Sequence, residues 1–292
     1  MDPSSSRHPL PAARKVAVVP HPHRATALAV AADVVSAFAA AGIDVVVPAP
    51  VVPAEAGLGA PVVPLDEAVS SADLVACVGG DGTLLRAFVD FASVPLVGVH
   101  CGELGYLAEV RVAEIGELAR RAAAGELVGE RRSTLAVEKD GRSLALALND
   151  VVVDKRAAGR VIKLEVSVEG EALTTFRVDG VIACTPTGST AYNFSAGGPV
   201  VDPQVDAFLI TPVAPHGLWD RSLVLPPTRT VRFRLIGDRH ASVLVDGRPV
   251  AELAADDDVE VGVSSQPAVL VRWAAEGVAT RLRSAFGWDD PR

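Results

Sequence analysis

The rhythm of apolar and polar positions along this chain changes once, near residue 125. Before that point, short continuous apolar runs alternate with stretches of helical spacing. Val16 to Val19 reads as a strand. Leu28, Ala31, Val35 and Phe38 then fall at i, i+3, i+7 and i+10, one face of a helix from about Ala25 to Ala41 that Gly42 stops. Ile43 to Val47 is a second strand, and five prolines between residues 48 and 64 mark an irregular connection. Leu65 to Ala72 reads as a short helix and Asp73 to Val78 as a strand. After the turn Gly79-Gly80-Asp81-Gly82-Thr83 come a helix over Leu84 to Phe91, a strand over Pro95 to Val99 and a helix around Ala113 to Ala124. Such alternation predicts an α/β domain with a parallel sheet, its ligand at the carboxyl ends of the strands.

Beyond residue 125 the pattern is of strands with turn residues between them. Val137, Leu144 to Leu148, Val151 to Val153, Leu164 to Val168, Val181 to Cys184, Val231 to Leu235, Ser242 to Val245 and Ala268 to Val271 carry it. A run of strands after an α/β run predicts a second, all-β domain. The expected divisions are a flexible tail over 1–14, rich in Ser, Pro, Ala and Arg, an α/β nucleotide-binding domain over 15–125, and a β-rich domain over 126–272.

Composition narrows the chemistry. Of 292 residues 49% are apolar but only 4% aromatic, so Val, Leu, Ala and Ile must fill the cores. A net charge of −9 supplies no basic stripe for nucleic acid or anionic membrane. Phosphate binding must therefore be local, through backbone N–H groups and single arginines. No apolar run approaches a membrane span. Cys77, Cys101 and Cys184 sit in or beside apolar runs and read as reduced and structural. Neither His100 next to Cys101 nor the His21-Pro-His23 pair has partners at metal-site spacing, so no protein metal site is expected.

Two short runs carry the chemistry. Gly79 to Thr83 follows a strand and precedes a helix, where bare N–H groups and a helix N-terminus suit a polyphosphate. Asp81 is the odd element, because a carboxylate beside phosphates is repulsive unless a metal or a proton transfer needs it. Its plainer reading is a helix cap. The second run, Thr185-Pro-Thr-Gly-Ser-Thr-Ala-Tyr192, reads by itself as a Ser/Thr-rich loop. Walker A, dinucleotide G-x-G-x-x-G and protein-kinase signatures are absent from the sequence.

Together these runs resemble the NAD kinase family, whose marks are a GGDGT turn, an Asn-acidic pair and a TPTGSTAY segment followed by SAGGP. Here they stand as Gly79 to Thr83, Asn149-Asp150, and Thr185 to Tyr192 with Ser195 to Pro199. Thr211 to His216, Arg221 and Val245-Asp-Gly247 extend the match. The resemblance implies an ATP-dependent kinase that phosphorylates the 2′-hydroxyl of the adenosine ribose of NAD to give NADP, with Asp81 accepting the hydroxyl proton. Gly79, Gly80, Gly82, Thr83 and Arg86 would serve phosphate. Asn149, Asp150, Arg160, Arg177, Asp179, Thr187, Ser189, Thr190, Ala191, Tyr192 and Ser195 would serve the dinucleotide. It further implies Mg²⁺ arriving with ATP, a cytoplasmic homo-oligomer (dimer or tetramer), and a C-terminal segment from about Trp273 returning to the first domain. Asp150 stands where the family more often has Glu, His100 where it has Asn, and Tyr106 where it has Phe.

Other readings are a kinase of another adenosine-bearing or lipid alcohol, a catalytically silent NAD-binding sensor, and a hydrolase. The last rests on Asn193-Phe-Ser195-Ala-Gly197, one residue from a nucleophile elbow, with Asp206, Asp220 or Asp238 ahead of His240.

Overall fold

The computed structural model describes residues 6–49, 51, 57–102, 105–157, 159–273, 279–280 and 282–283. The chain forms two compact units, residues 1–131 with 268–292, and residues 132–267.

In the first unit the described elements are β1 (Arg7–Pro9), β2 (Lys15–Pro20), α1 (Ala25–Ala40), β3 (Asp44–Pro48), β4 (Val62–Val63), α2 (Leu65–Ser71), β5 (Leu74–Gly79), α3 (Asp81–Asp90), β6 (Leu96–His100), β7 (Val110–Arg111), α4 (Ile115–Ala124) and β8 (Val128–Arg132). The sheet runs β1, β8, the returning strand Ala268–Arg272, β6, β5, β2, β3, β4, with β7 against β6. β3, β2, β5, β6 and the returning strand are parallel neighbours, while β1 and β8 pair antiparallel. β5 is apolar throughout because both its faces are covered, as the central strand of a parallel sheet requires. On α1, Ala27, Ala31, Val34, Val35 and Phe38 form the buried stripe, and Gly42 follows it with φ 79°.

Three differences from the sequence reading concern this unit. Residues 7–14 are no flexible tail: β1 pairs with β8, Leu10 and Ala13 enter the core, and Arg7 meets buried Glu130 at 2.8 Å. Residues 126–131 and 268–272, expected in the β-rich domain, belong here instead, because β8 and Ala268–Arg272 join the first sheet. The chain thus returns before Trp273; most of the segment after it lies outside the described residues, as do 1–5, 50 and 52–56.

The second unit is a pair of six-stranded antiparallel sheets. Its strands are β9 (Leu135–Lys139), β10 (Arg142–Ala147), β11 (Asp150–Lys155), β12 (Ile162–Val168), β13 (Glu171–Val178), β14 (Gly180–Cys184), β15 (Phe208–Val213), β16 (Leu223–Leu225), β17 (Thr230–Ile236), β18 (Ala241–Val245), β19 (Arg248–Leu253) and β20 (Asp258–Val263). They order as β10-β9-β20-β17-β12-β13 and β16-β15-β14-β11-β18-β19. Their inner faces share one core that includes Leu135, Val151, Val153, Leu164, Phe208 and Phe233. Strand alternation then turns Asp150, Val152 and Asp154 to the opposite face of β11, where Val152 packs with Ile182, Cys184 and Leu209.

Candidate functional site

In the first unit the chemistry gathers where β2, β5 and β6 end. Gly79 and Gly80 leave β5, and Asp81 is already the first residue of α3. Gly79 must lack a side chain: a Cβ there would lie 2.3 Å from Thr83 Oγ1 and 3.4 Å from the Cβ of His21. Register pairs Gly79 with His100, and Cys101 N–H donates to the Gly79 carbonyl at 3.0 Å. His100 Nδ1–H donates to Gly102 at 3.0 Å, which leaves Nε2 as the acceptor nitrogen; it makes no hydrogen bond with a described residue.

Asp81 is not a helix cap. Gly80 occupies that position without a side-chain cap bond. The Asp81 carboxylate instead accepts three consecutive backbone N–H groups from a distant loop. Tyr106 donates to Oδ2 at 2.7 Å, and Leu107 and Ala108 both donate to Oδ1 at 3.0 Å. A carboxylate offers about four acceptor sites, so this arrangement leaves one, on Oδ2.

Cations surround the glycine turn. Arg86 lies one turn along α3, its Nη2 3.5 Å from Thr83 Oγ1. Burial, reinforced by the Arg86 and Arg24 guanidinium groups, holds the His21 imidazole below its usual pKa. Sequence spacing singled out Arg86 but passed over Arg24. The signal is topological: Pro20 of β2 lies beside Val78 of β5, so the residues after both strands share one edge.

In the second unit a second aspartate performs the same service. The two-residue hairpin Asp246-Gly247 has φ 46° and 78°, the left-handed pair a tight hairpin demands. It delivers the Asp246 carboxylate to the backbone N–H groups of Leu148, Asn149 and Asp150, at 2.9, 2.8 and 3.0 Å. The sequence presented Asp246 only as part of a family mark. Asp150 itself is 5% exposed and its carboxylate makes no hydrogen bond with a described residue. Burial first, then the neighbouring Asp246 charge, raises its pKa to about 7.

The Thr185–Tyr192 run locks onto this pair. Thr185 Oγ1 donates to Leu148 O at 2.6 Å and accepts Gly188 N–H at 3.0 Å, while Thr185 N–H donates to Asn149 O. A Cβ on Gly188 would lie 2.2 Å from that same Asn149 oxygen. Fully buried Ser189 bonds Pro186 and Val201, so its hydroxyl is spent within the protein and cannot serve the dinucleotide as expected. Thr187 is buried and accepts from Arg132 at 3.3 Å. Buried Asn193, met in sequence only as the start of the near-elbow run, donates to Ser189 O and Pro199 O and accepts from Thr211. These bonds leave Tyr192 and Ser195 exposed, with Thr190 and Ala191 half-buried.

Tyr192 lies near three carboxylates: burial, then Asp154, Asp150 and Asp179, raise its pKa. Asp179 is held by Lys155 at 2.5 Å, and the carbonyl of Arg177 accepts His216 N–H at 2.7 Å. Arg160 lines a hollow with that same Lys155 and with Arg156, Arg239 and His240. Ser195 has no catalytic-triad setting, since its four-residue helix follows a tight turn after an antiparallel strand.

This geometry coincides with known proteins over most of its length. Residues 62–127 match the ATP-NAD kinase N-terminal domain and residues 148–273 the ATP-NAD kinase C-terminal domain. The NAD kinase of Heliobacterium modesticaldum is 42% identical over 207 residues, 68% of this chain and 73% of that protein. The chain belongs to the NAD kinase family. The Thermobifida fusca NAD kinase is 34% identical over 94% of this chain and 91% of its own length. Among solved structures, yeast NADH kinase complexed with NADH aligns with TM-score 0.85 at 25% identity, covering 98% of this chain and 90% of that one. An NAD kinase from Archaeoglobus fulgidus in complex with ATP aligns with TM-score 0.73 at 26% identity, covering 94% and 97%. The chain is accordingly an ATP-dependent kinase that phosphorylates NAD. Nothing favours the sensor, lipid-kinase or hydrolase readings.

Proposed function

We propose that Asp81 Oδ2 accepts the proton of the attacking hydroxyl, and that the three N–H bonds fix the carboxylate for this task. The observation that supports it is the single acceptor site left on Oδ2 at the carboxyl edge of the parallel sheet. Phosphoryl transfer runs through a loose transition state, so orientation of the hydroxyl matters more than strong basicity. Gly80, Gly82 and the first N–H groups of α3 cradle phosphate, and Arg86 with Arg24 balances its charge. On the second unit, the half-buried and exposed positions Thr190, Ala191, Tyr192 and Ser195 meet the dinucleotide, with Asn149, Asp150, Arg177 and Asp179 as polar partners. Thr83 and Thr187 act mainly through packing.

Mg²⁺ is proposed to come with ATP. Among the described residues no group of three or more His, Cys, Asp or Glu side chains stands together as a cage. Mg²⁺ keeps its waters and prefers phosphate oxygens, and when bound it neutralises charge on them. A cytoplasmic homo-oligomer, dimer or tetramer, is proposed from the family. No helix of the described residues is long and apolar enough to cross a membrane.

The direct test incubates the purified chain with Mg-ATP and either NAD or NADH and assays 2′-phosphorylated product. Absence of product with both would overturn the assignment, and omission of Mg²⁺ should abolish it. Light scattering under assay conditions tests the oligomer; an active monomer would refute it.

A further inference from the structure

One buried ion pair of the first unit is left out of the chemistry above, and it sits one residue from the loop that grips Asp81. Tyr106, Leu107 and Ala108 donate to the Asp81 carboxylate, and Glu109 follows them directly. Both oxygens of Glu109 are engaged by the end of the returning strand. Oε1 accepts from Arg272 Nη1, and Oε2 accepts Trp273 N–H at 3.1 Å. The Arg272 and Glu109 side chains are only 6% and 11% exposed. Arg272 also faces Glu130 of β8 at 3.4 Å, and Glu130 in turn meets Arg7 of β1 at 2.8 Å. Trp273 is itself held, with the Arg121 guanidinium of α4 at 4.8 Å from its ring centroid. The Glu109 carboxylate is thus tied to groups rooted in three strands and a helix. Topology explains the meeting. β6 pairs with β5 along one edge, and its other edge carries the returning strand at Leu96 and β7 at Val99 and His100. By these registers Arg272 and Glu109 both fall level with Gly98.

The three N–H bonds set the angle of the Asp81 carboxylate only as firmly as their own loop is held. Charge-assisted bonds on the very next residue remove the freedom of that loop to follow the side chain. A reacting group needs its position fixed to about 0.5 Å, and the supporting residues decide whether it is. We propose that Glu109 and Arg272 are positioning residues for phosphoryl transfer, holding the 106–108 loop so that the remaining acceptor site of Asp81 Oδ2 points at the attacking hydroxyl. This inference rests on the reading of Asp81 as proton acceptor. Both residues act through the three N–H bonds alone.

The experiment compares the full chain with Glu109→Gln and with Glu109→Leu/Arg272→Met. It reads steady-state kinetics, melting curves and hydrogen exchange of the Leu107 and Ala108 amides. Glu109→Gln keeps an acceptor for Trp273 N–H but loses the charge that holds Arg272. The loop amides should then exchange faster, and kcat should fall about 10- to 100-fold, the scale of a small misplacement made outside the chemistry. KM for ATP should change little. Removing one member of a buried pair also destabilises, whereas replacing both by apolar groups of similar size is often neutral. The double variant should therefore melt near the wild type and still turn over slowly. A double variant that regains kcat along with its melting temperature would show a merely structural role and overturn the proposal. So would unchanged amide exchange in Glu109→Gln. Asp81→Asn separates this inference from the reading beneath it. Normal turnover in Asp81→Asn refutes Asp81 as the acceptor; collapsed turnover there, beside a normal kcat in Glu109→Gln, refutes the positioning role alone.

Discussion

Gly105 and Asp81 stand so close that a methyl group on the glycine would lie 2.2 Å from Oδ1 of the carboxylate. Only a bare backbone lets the following three N–H groups reach Asp81. Gly105→Ala should therefore displace the loop and cost about 1–3 kcal/mol, as overpacking does. Its sharper effect should be on kcat, with KM for ATP little changed. Steady-state kinetics beside a melting curve checks this; normal turnover would show that the contact does not position Asp81.

Asp81→Asn is not a silent swap of a capping residue. The amide can keep Leu107 and Ala108 on its oxygen, but its NH₂ then faces the Tyr106 N–H. A drop of about 1–3 kcal/mol in stability is expected for that unsatisfied donor. Turnover should fall further than folding explains, by about 10²–10⁴. Rates measured well below the melting temperature separate the two, and a near-normal kcat there would confine Asp81 to loop anchoring.

Asp150 should make stability fall with rising pH. Its folded pKa of about 7 lies above the ordinary carboxylate value. Between about pH 4 and 7 the folded state therefore holds a proton that the unfolded state has released. Stability is full below the unfolded value and declines as pH rises through the folded one, at about 1.4 kcal/mol per unit at most. Asp150→Asn should flatten this slope and raise the melting temperature at pH 8, while raising KM for NAD. Parallel pH–stability curves for the two proteins would refute the assignment.

Gly188→Ala should damage the β unit and its binding surface together. The added Cβ would lie 2.2 Å from Asn149 O, a backbone atom that cannot swing away. About 1–3 kcal/mol of stability should be lost, with NAD affinity lost alongside it in a calorimetric titration. Unaltered NAD binding would mean that the turn relaxes without moving Asn149.

Glu130→Gln tests the N-terminal strand. Glu130 is 1% exposed and bridges Arg7 at 2.8 Å and Arg272 at 3.4 Å. Neutralising one member of a buried charge cluster costs about 3–5 kcal/mol, so a substantial drop in melting temperature is expected. A loss under 1 kcal/mol, within the range of exposed pairs, would show that solvent already screens the cluster.

What the sequence disclosed follows from how local each cause was. β5 and α3 were legible because an apolar run ends in two glycines and gives way to helical spacing. β13 was not: at a sheet edge its residues, Leu173 among them, remain largely exposed and show little alternation. β1 is three residues long and polar, and it exists only because β8 offers it an edge. The motif residues could be picked out as runs, yet the bonds that each of them makes were hidden. Ser189 reads like Ser195 in sequence, but the Val201 N–H that occupies it arrives from twelve residues on. The partners of Asp81 lie 25 to 27 residues away and those of Asp246 96 to 98, beyond the reach of any spacing rule.

That last separation has a bearing on how the protein becomes competent during its synthesis. The Asp246 carboxylate can gather Leu148, Asn149 and Asp150 only after nearly a hundred intervening residues have emerged and the β11–β18 pairing has closed, an event of high contact order. A nascent chain stalled before residue 246 would hold the whole Thr185–Tyr192 motif without the carboxylate that gathers the Leu148, Asn149 and Asp150 N–H groups beneath it. On the proposed reading of the site, recognition of the dinucleotide is a late acquisition, and a truncated product would own the signature of the family without its grip.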